Sequence, residues 1–236
     1  MTCPDGGNHE TVIARALILG SLGTLANLAD LQRRAANLAF SEAGVEMSWD
    51  MTAFARAWSN PSPRARMGIG GRDGEALDRL RRTHFSRLLE REGAMPRPGL
   101  RRIVQAAQAA GAPVALASTA HPDEVDAVLD ALSPRFRADA LGWIGDRSRV
   151  AGDKPAPDIY VAAVTALGVP AEASLAVEDR PATARAALSA GLRVMALPEP
   201  GAAQAADFPA GILIADSLHP AHLRLAGTLP GGASRG

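Results

Sequence analysis

From Pro98 onward, short apolar runs alternate with stretches of helical period, and few folds accommodate that rhythm. Val114–Ala117, Ala140–Ile144, Leu175–Val177, Arg193–Leu197 and Ile212–Ile214 read as strands. Leu100–Ala110, Pro122–Leu132, Pro155–Leu167 and Pro181–Ala190 read as the helices between them. Gly111 and Gly191 follow two of these helices as stop signals. Strands that alternate with helices of this length imply a parallel sheet with the helices packed against it. One earlier run, Arg15–Leu19, reads as a further buried strand. Between it and Pro98 the rhythm is lost. Leu25–Gly44, Trp49–Trp58 and Glu75–Glu92 all carry helical periodicity, and Asn60–Gly74, rich in Pro, Gly and Arg, reads as loop. The expected architecture is α/β: a parallel-sheet core from residues 1–26 and 94–236, with a helical cap inserted over 27–93. Residues 1–13 and the Gly-rich end after Leu229 are expected to be loose.

Composition narrows the function. The chain has 236 residues, 47% of them hydrophobic and 21% charged, as in ordinary globular proteins. Its formal net charge is zero, so no bulk charge favours nucleic acid or an anionic membrane. Cys3 is the only cysteine, which rules out an intrachain disulfide and suits a cytoplasmic setting. The first residues hold Asp5, His9 and Glu10 and no apolar segment of a signal peptide. No apolar run approaches the roughly 20 residues a membrane span needs.

The cations carry a sharper clue. Of 25 basic residues, Lys154 is the only lysine. An ammonium is a compact point charge and a guanidinium a planar fork, so the two are not interchangeable in a tight site. One lysine in an arginine-rich chain also has a bland explanation, chance, and only its neighbours distinguish the two.

In open α/β sheets, ligands bind at the carboxyl ends of the strands. The first strand ends in Gly20-Ser21-Leu22-Gly23-Thr24, and the second in Ser118-Thr119. The third leads to Gly152-Asp153-Lys154-Pro155, and the fourth ends in Glu178-Asp179. A hydroxyl, an ammonium and a carboxylate pair therefore converge on one edge. Taken singly, Ser-Thr is usually a helix cap and Glu-Asp a solvated loop.

In this order and spacing, the segments resemble the haloacid dehalogenase-like (HAD) phosphatases, from about Arg15 to Ser217. The carrying stretches are Ala16-Leu17-Ile18 before Gly23-Thr24-Leu25, Leu31-Gln32-Arg33-Arg34-Ala35, and Trp49-Asp50 at the cap. Arg97-Pro98-Gly99, Ala117-Ser118-Thr119, and Lys154-Pro155-Ala156-Pro157-Asp158-Ile159-Tyr160 follow. Val177-Glu178-Asp179 and Ala186 to Gly191 complete the pattern. The chain looks most like the capped β-phosphoglucomutase-like branch, and within it the CbbY-type sugar-bisphosphate phosphatases linked to the Calvin cycle. The resemblance implies a Rossmann-like core. It also implies that Ser118 and Lys154 bind phosphate and that Glu178 and Asp179 hold Mg²⁺; the backbone N–H groups of the Leu22-Gly23-Thr24 turn could add to the phosphate site.

The first motif departs from the family. The pattern needs an Asp nucleophile at position 20 and an Asp acid/base at 22; this chain has Gly20 and Leu22. Glycine cannot form an aspartyl phosphate, and it takes an oxygen ligand from Mg²⁺. Leucine cannot protonate a leaving group. Losing both carboxylates should cost phosphoryl transfer many orders of magnitude. Ser21 should face away from positions 20 and 22, and Ser118 and Thr119 have no evident base, His121 being the one nearby candidate and a disfavoured one. In the cap, Arg64 and Arg66 could bind a distal phosphate, although a solvated basic loop explains them equally well. Gly68–Gly74 lacks a preceding strand and the spacing of a nucleotide loop. His219 and His222 read as a surface pair.

The leading expectation is an inactive phosphatase scaffold that binds a phosphorylated sugar or a protein partner, with Mg²⁺ binding weakened. Two others stand beside it: an active or weakly active Mg²⁺-dependent phosphatase of small sugar phosphates, using another nucleophile or a metal-activated water, and a purely structural or protein-interaction role.

Overall fold

The computed structural model describes residues 12–59, 67, 73–133, 135–201 and 203–225. The expectations for Arg64, Arg66, Gly68 to Arg72, the first residues and the Gly-rich end lie outside these.

Six parallel strands form the central sheet, in the order β4-β3-β2-β5-β6-β7. They are β2 (Ala16–Leu19), β3 (Val114–Ala117), β4 (Trp143–Gly145), β5 (Ser174–Glu178), β6 (Arg193–Ala196) and β7 (Leu213–Ile214). From β2 the chain steps outward to β3 and β4, then returns to the other side of β2 with β5. This reversal opens a crevice at the carboxyl ends of β2 and β5, where α/β sheets bind ligands.

β2 is buried at every position, as a strand covered on both faces must be. Successive side chains point to opposite faces. Leu17 and Leu19 enter one apolar cluster with Leu25, Phe85, Ile103 and Val128. Ala16 and Ile18 enter the other, with Ile159, Tyr160, Ala163 and Ala187.

The helices are α1 (Leu22–Leu25), α2 (Ala29–Glu42), α3 (Met51–Trp58), α4 (Gly74–Glu92), α5 (Leu100–Ala109), α6 (Pro122–Leu132), α7 (Asp158–Leu167) and α8 (Pro181–Ser189). Asp50 caps α3 by accepting a hydrogen bond from Ala53 N at 2.7 Å. Phe40, Trp49, Phe54, Met67 and Leu77 form a separate apolar cluster within the helical segment. Leu31 and Ala35 of α2, with Phe85 and Leu88 of α4, join the cluster on the sheet.

Several elements differ from the sequence reading. The helix expected over Leu25–Gly44 is broken, because Ala26 is extended and bridges Pro96. Val12–Ile13 is not loose; it is β1 and pairs antiparallel with β8 (Arg224–Leu225). The third strand starts at Trp143 rather than Ala140, because residues 138–140 form a tight helical turn. The helix expected from Pro155 starts at Asp158, since Pro157 disfavours helical backbone at the residue before it. Gly111 and Gly191 adopt φ of +72° and +83°, as helix-ending glycines do.

Candidate functional site

The crevice holds a cavity of about 350 Å³, lined by the Gly20–Gly23 turn, Ser118, Lys154 and Asp179 among others. Four separate segments meet there because each follows a parallel strand of the same sheet.

Thr24 does not join them. It is fully buried, and both its hydroxyl (2.6 Å) and its amide (3.1 Å) donate to the Ser21 carbonyl. It shapes the turn, and its expected contact with phosphate is corrected. Ser118 Oγ accepts from Ala120 N at 3.0 Å, which leaves its hydroxyl proton available to a ligand. Ser21 contributes to the wall, but its Oγ is buried without a hydrogen-bond partner among the described residues.

Gly20 and Glu178 are coupled through the sheet. Leu19 pairs with Val177, and Gly20 N donates to the Val177 carbonyl at 2.9 Å. One position further on, Gly20 and Glu178 face the same side of adjacent strands, roughly 4.8 Å apart. Glycine leaves a hole there, and the Glu178 carboxylate fills it. A Cβ at position 20 would stand 1.5 Å from Glu178 Oε1.

Lys154 serves this arrangement. Its Nζ donates to the Gly20 carbonyl, lies 3.5 Å from Glu178 Oε1 and sits 4.3 Å from the centre of the Tyr160 ring. The Tyr160 hydroxyl donates to Glu178 Oε1 and lies 3.2 Å from the Thr183 carbonyl. Burial pulls the Lys154 ammonium down to about 8, against the attraction of Glu178. Burial also pushes the Glu178 carboxyl up, with Lys154 opposing it. Tyr160 is a partner that sequence reading missed; its position six residues after Lys154 was the available signal.

The donor set does not suit the Mg²⁺ that the resemblance implies. Mg²⁺ takes one or two carboxylates in octahedral geometry, together with water and phosphate oxygens. Glu178 is fully buried behind Gly20, is bound by Lys154 and Tyr160, and does not line the cavity. Asp179 does line it, but its Oδ1 lies 3.5 Å from Arg180 Nε and its Oδ2 packs over Gly23. Among the described residues, no group of three or more Asp, Glu, His or Cys side chains is placed to hold a metal ion. The expected pairing of Glu178 with Asp179 as ligands is therefore not assembled.

Other groups in the cavity gave no clear sequence signal. Arg81, 2% exposed on α4, donates from Nε to Asp78 Oδ1 and from Nη1 to Glu124 Oε1, each at 2.8 Å. It joins the helical segment to α6. Glu199 follows β6 and reaches the start of α2, accepting from the amides of Leu28 and, at 2.6 Å, Ala29. Burial and the nearby Asp179 charge push Glu199 up to about 7, although the amides and Arg97 favour its anion. His121 is not the base for Ser118. Its Nε2 lies 2.8 Å from Arg147 Nη1 and must accept there, because a guanidinium only donates. Burial and the charges of Arg82 and Arg147 push that imidazole below its ordinary pKa. His219 Nδ1 and His222 Nδ1 each accept a backbone amide at 3.1 Å, which makes them turn caps.

Comparison with known proteins places the fold. The haloacid dehalogenase-like hydrolase family matches residues 7–191. The plasmid-encoded CbbY of Cupriavidus necator is 30% identical over 94% of this chain and 92% of its own length. CbbY of Rhodobacter capsulatus is 32% identical over 78% of this chain and 85% of its own. A crystal structure of a CbbY variant from Rhodobacter sphaeroides with xylulose 1,5-bisphosphate superposes with a TM-score of 0.77 at 28% identity. It covers 87% of this chain and 95% of that one. No helix among the described residues is long and apolar enough to cross a membrane. With this sheet order and these relatives, the chain belongs to the haloacid dehalogenase-like hydrolases, in their CbbY-like branch.

Proposed function

We propose that this chain binds a phosphorylated sugar in the family's cavity but does not turn it over through an aspartyl phosphate. One observation carries the reading: position 20 has no carboxylate, and Glu178 Oε1 occupies the space its Cβ would need. An aspartyl phosphate needs a carboxylate at the cavity wall with an oxygen open to the substrate. Glu178 offers none, being fully buried and bound by Lys154 and Tyr160. Leu22, at the position expected to supply a proton, lines the cavity with an apolar side chain.

Binding keeps its elements. The Ser118 hydroxyl, the Lys154 ammonium and the Gly23 backbone remain on the wall, the set that suits a phosphate oxygen. The CbbY crystal structure with xylulose 1,5-bisphosphate supports a sugar bisphosphate as the ligand class.

The test is a paired assay of phosphate release from sugar phosphates and bisphosphates with Mg²⁺ present. It compares the natural protein, its Lys154→Ala variant and the Gly20→Asp/Leu22→Asp double variant. The expected result is ligand binding without turnover by the natural protein and, because Glu178 still fills the space beside position 20, no more than trace turnover by the double variant. Robust turnover by the natural protein, abolished in a folded Lys154→Ala variant, would overturn the reading.

A further inference from the structure

The cavity has several cations, and most are already spoken for. Arg81 is bound by Asp78 and Glu124, and Lys154 by the Gly20 carbonyl and Glu178. Arg147 gives one terminal nitrogen to Asp153, at 2.6 Å, and the other to His121. Arg185 also lines the cavity and gives Nη2 to the Asp207 carbonyl at 3.4 Å, but it is Arg180 that stands beside the acidic pair. Among the described residues its side chain makes one hydrogen bond, from Nε to Asp179 Oδ1 at 3.5 Å. Among the described residues its terminal nitrogens have no hydrogen-bond partner, and the residue lines the cavity with its side chain 23% exposed.

A divalent cation held by the carboxylates after β5 would offset their repulsion of an anionic ligand. Here the acidic loop carries its own positive charge, one residue after Asp179. The carboxylates a metal would need are turned elsewhere, Glu178 into the hole at Gly20 and Asp179 Oδ2 over Gly23. A guanidinium with both terminal nitrogens uncommitted presents the parallel donors that bind phosphate in a bidentate manner.

We propose that the cavity binds its phosphorylated ligand without a divalent cation, with Arg180 supplying the positive charge beside Asp179. This rests on the ligand-binding reading above. Arg180 thereby becomes an affinity-determining residue with no part in the missing chemistry.

The experiment measures thermal stabilisation and titration calorimetry with xylulose 1,5-bisphosphate and with inorganic phosphate, in EDTA and in excess Mg²⁺. Ligands raise Tm through the state they bind. The expected result is the same Tm rise and Kd in both buffers, and no shift from Mg²⁺ alone. Arg180→Gln should weaken binding in EDTA about tenfold or more, and Arg180→Lys should recover only part of that loss, since an ammonium keeps the charge but not the fork. Binding that appears only with Mg²⁺, or a folded Arg180→Gln variant that binds as the parent does, overturns the proposal and leaves ligand binding intact. Binding in neither buffer overturns the ligand-binding reading itself, and this inference falls with it.

Discussion

Glu178 Oε1 lies 1.5 Å from the point where a Cβ on residue 20 would stand, so the two positions share one volume. Strand pairing makes them share it. Leu19 pairs with Val177, and the next residue of each strand faces the same side. Restoring the nucleophile therefore meets an occupied space. Gly20→Asp should lose about 3 kcal/mol of stability, because a second carboxylate enters a buried site already holding one. Adding Glu178→Ala should restore most of that loss. Urea unfolding of the two single variants and the double variant checks this, and a coupling below about 0.5 kcal/mol would show the positions to be independent.

The same carboxylate depends on its partners. Lys154→Met leaves Glu178 buried without its cation and should cost about 3–5 kcal/mol. Tyr160→Phe removes the hydroxyl donor and should cost about 1–3 kcal/mol. Replacing both charges, Lys154→Met/Glu178→Leu, should return stability close to that of the parent, because a buried pair often contributes little over a well-packed apolar pair. Chemical denaturation of the three variants decides whether this pair is held for stability or for ligand binding.

Arg81 is the buried junction between α4 and α6, bound by Asp78 and Glu124 and stacked 5.4 Å from the Trp58 ring. Arg81→Met should lose about 3–5 kcal/mol, since Glu124 loses its buried cation and Asp78 keeps only Arg82, at 3.5 Å. Arg81→Lys should not rescue it, because an ammonium cannot reproduce the forked geometry. Calorimetric Tm, with Trp fluorescence as a local probe near Trp58, measures both.

Glu199 makes stability depend on pH. Its carboxyl rises from an ordinary value of 4.5 to about 7 in the folded chain, through burial first and the Asp179 charge second. Between those values the folded state holds the proton and the unfolded state does not. The contribution is therefore complete below about 4.5, falls as pH rises, and is gone above about 7. Its full span is up to about 3 kcal/mol. Glu199→Gln should flatten this part of the stability profile while an amide oxygen still caps α2. Unfolding midpoints from pH 5 to 8 provide the measurement, and a parent profile that falls no more steeply than the variant's would refute the assignment.

Much of the fold was legible in the chain. Val114–Ala117 and Pro122–Leu132 fall where apolar periodicity and proline placed them. Those signals are local: a buried strand needs a short apolar run, and proline favours a first helical turn. The broken segment after Leu25 was not legible, because Ala26 is extended by a bridge to Pro96 and α2 is capped by Glu199. Each partner is distant in sequence and leaves no local mark.

The sequence by itself determined the absences: a carboxylate missing at position 20, an acid missing at 22, and one lysine among the cations. These follow from side-chain chemistry and need no coordinates. Only the tertiary structure decided what fills the gap. Parallel pairing of β2 with β5 sets Glu178 beside a glycine, and the empty volume draws its carboxylate inward to Lys154 and Tyr160. Side-chain identity sets which reactions a chain lacks; strand register sets which neighbour takes the vacant space.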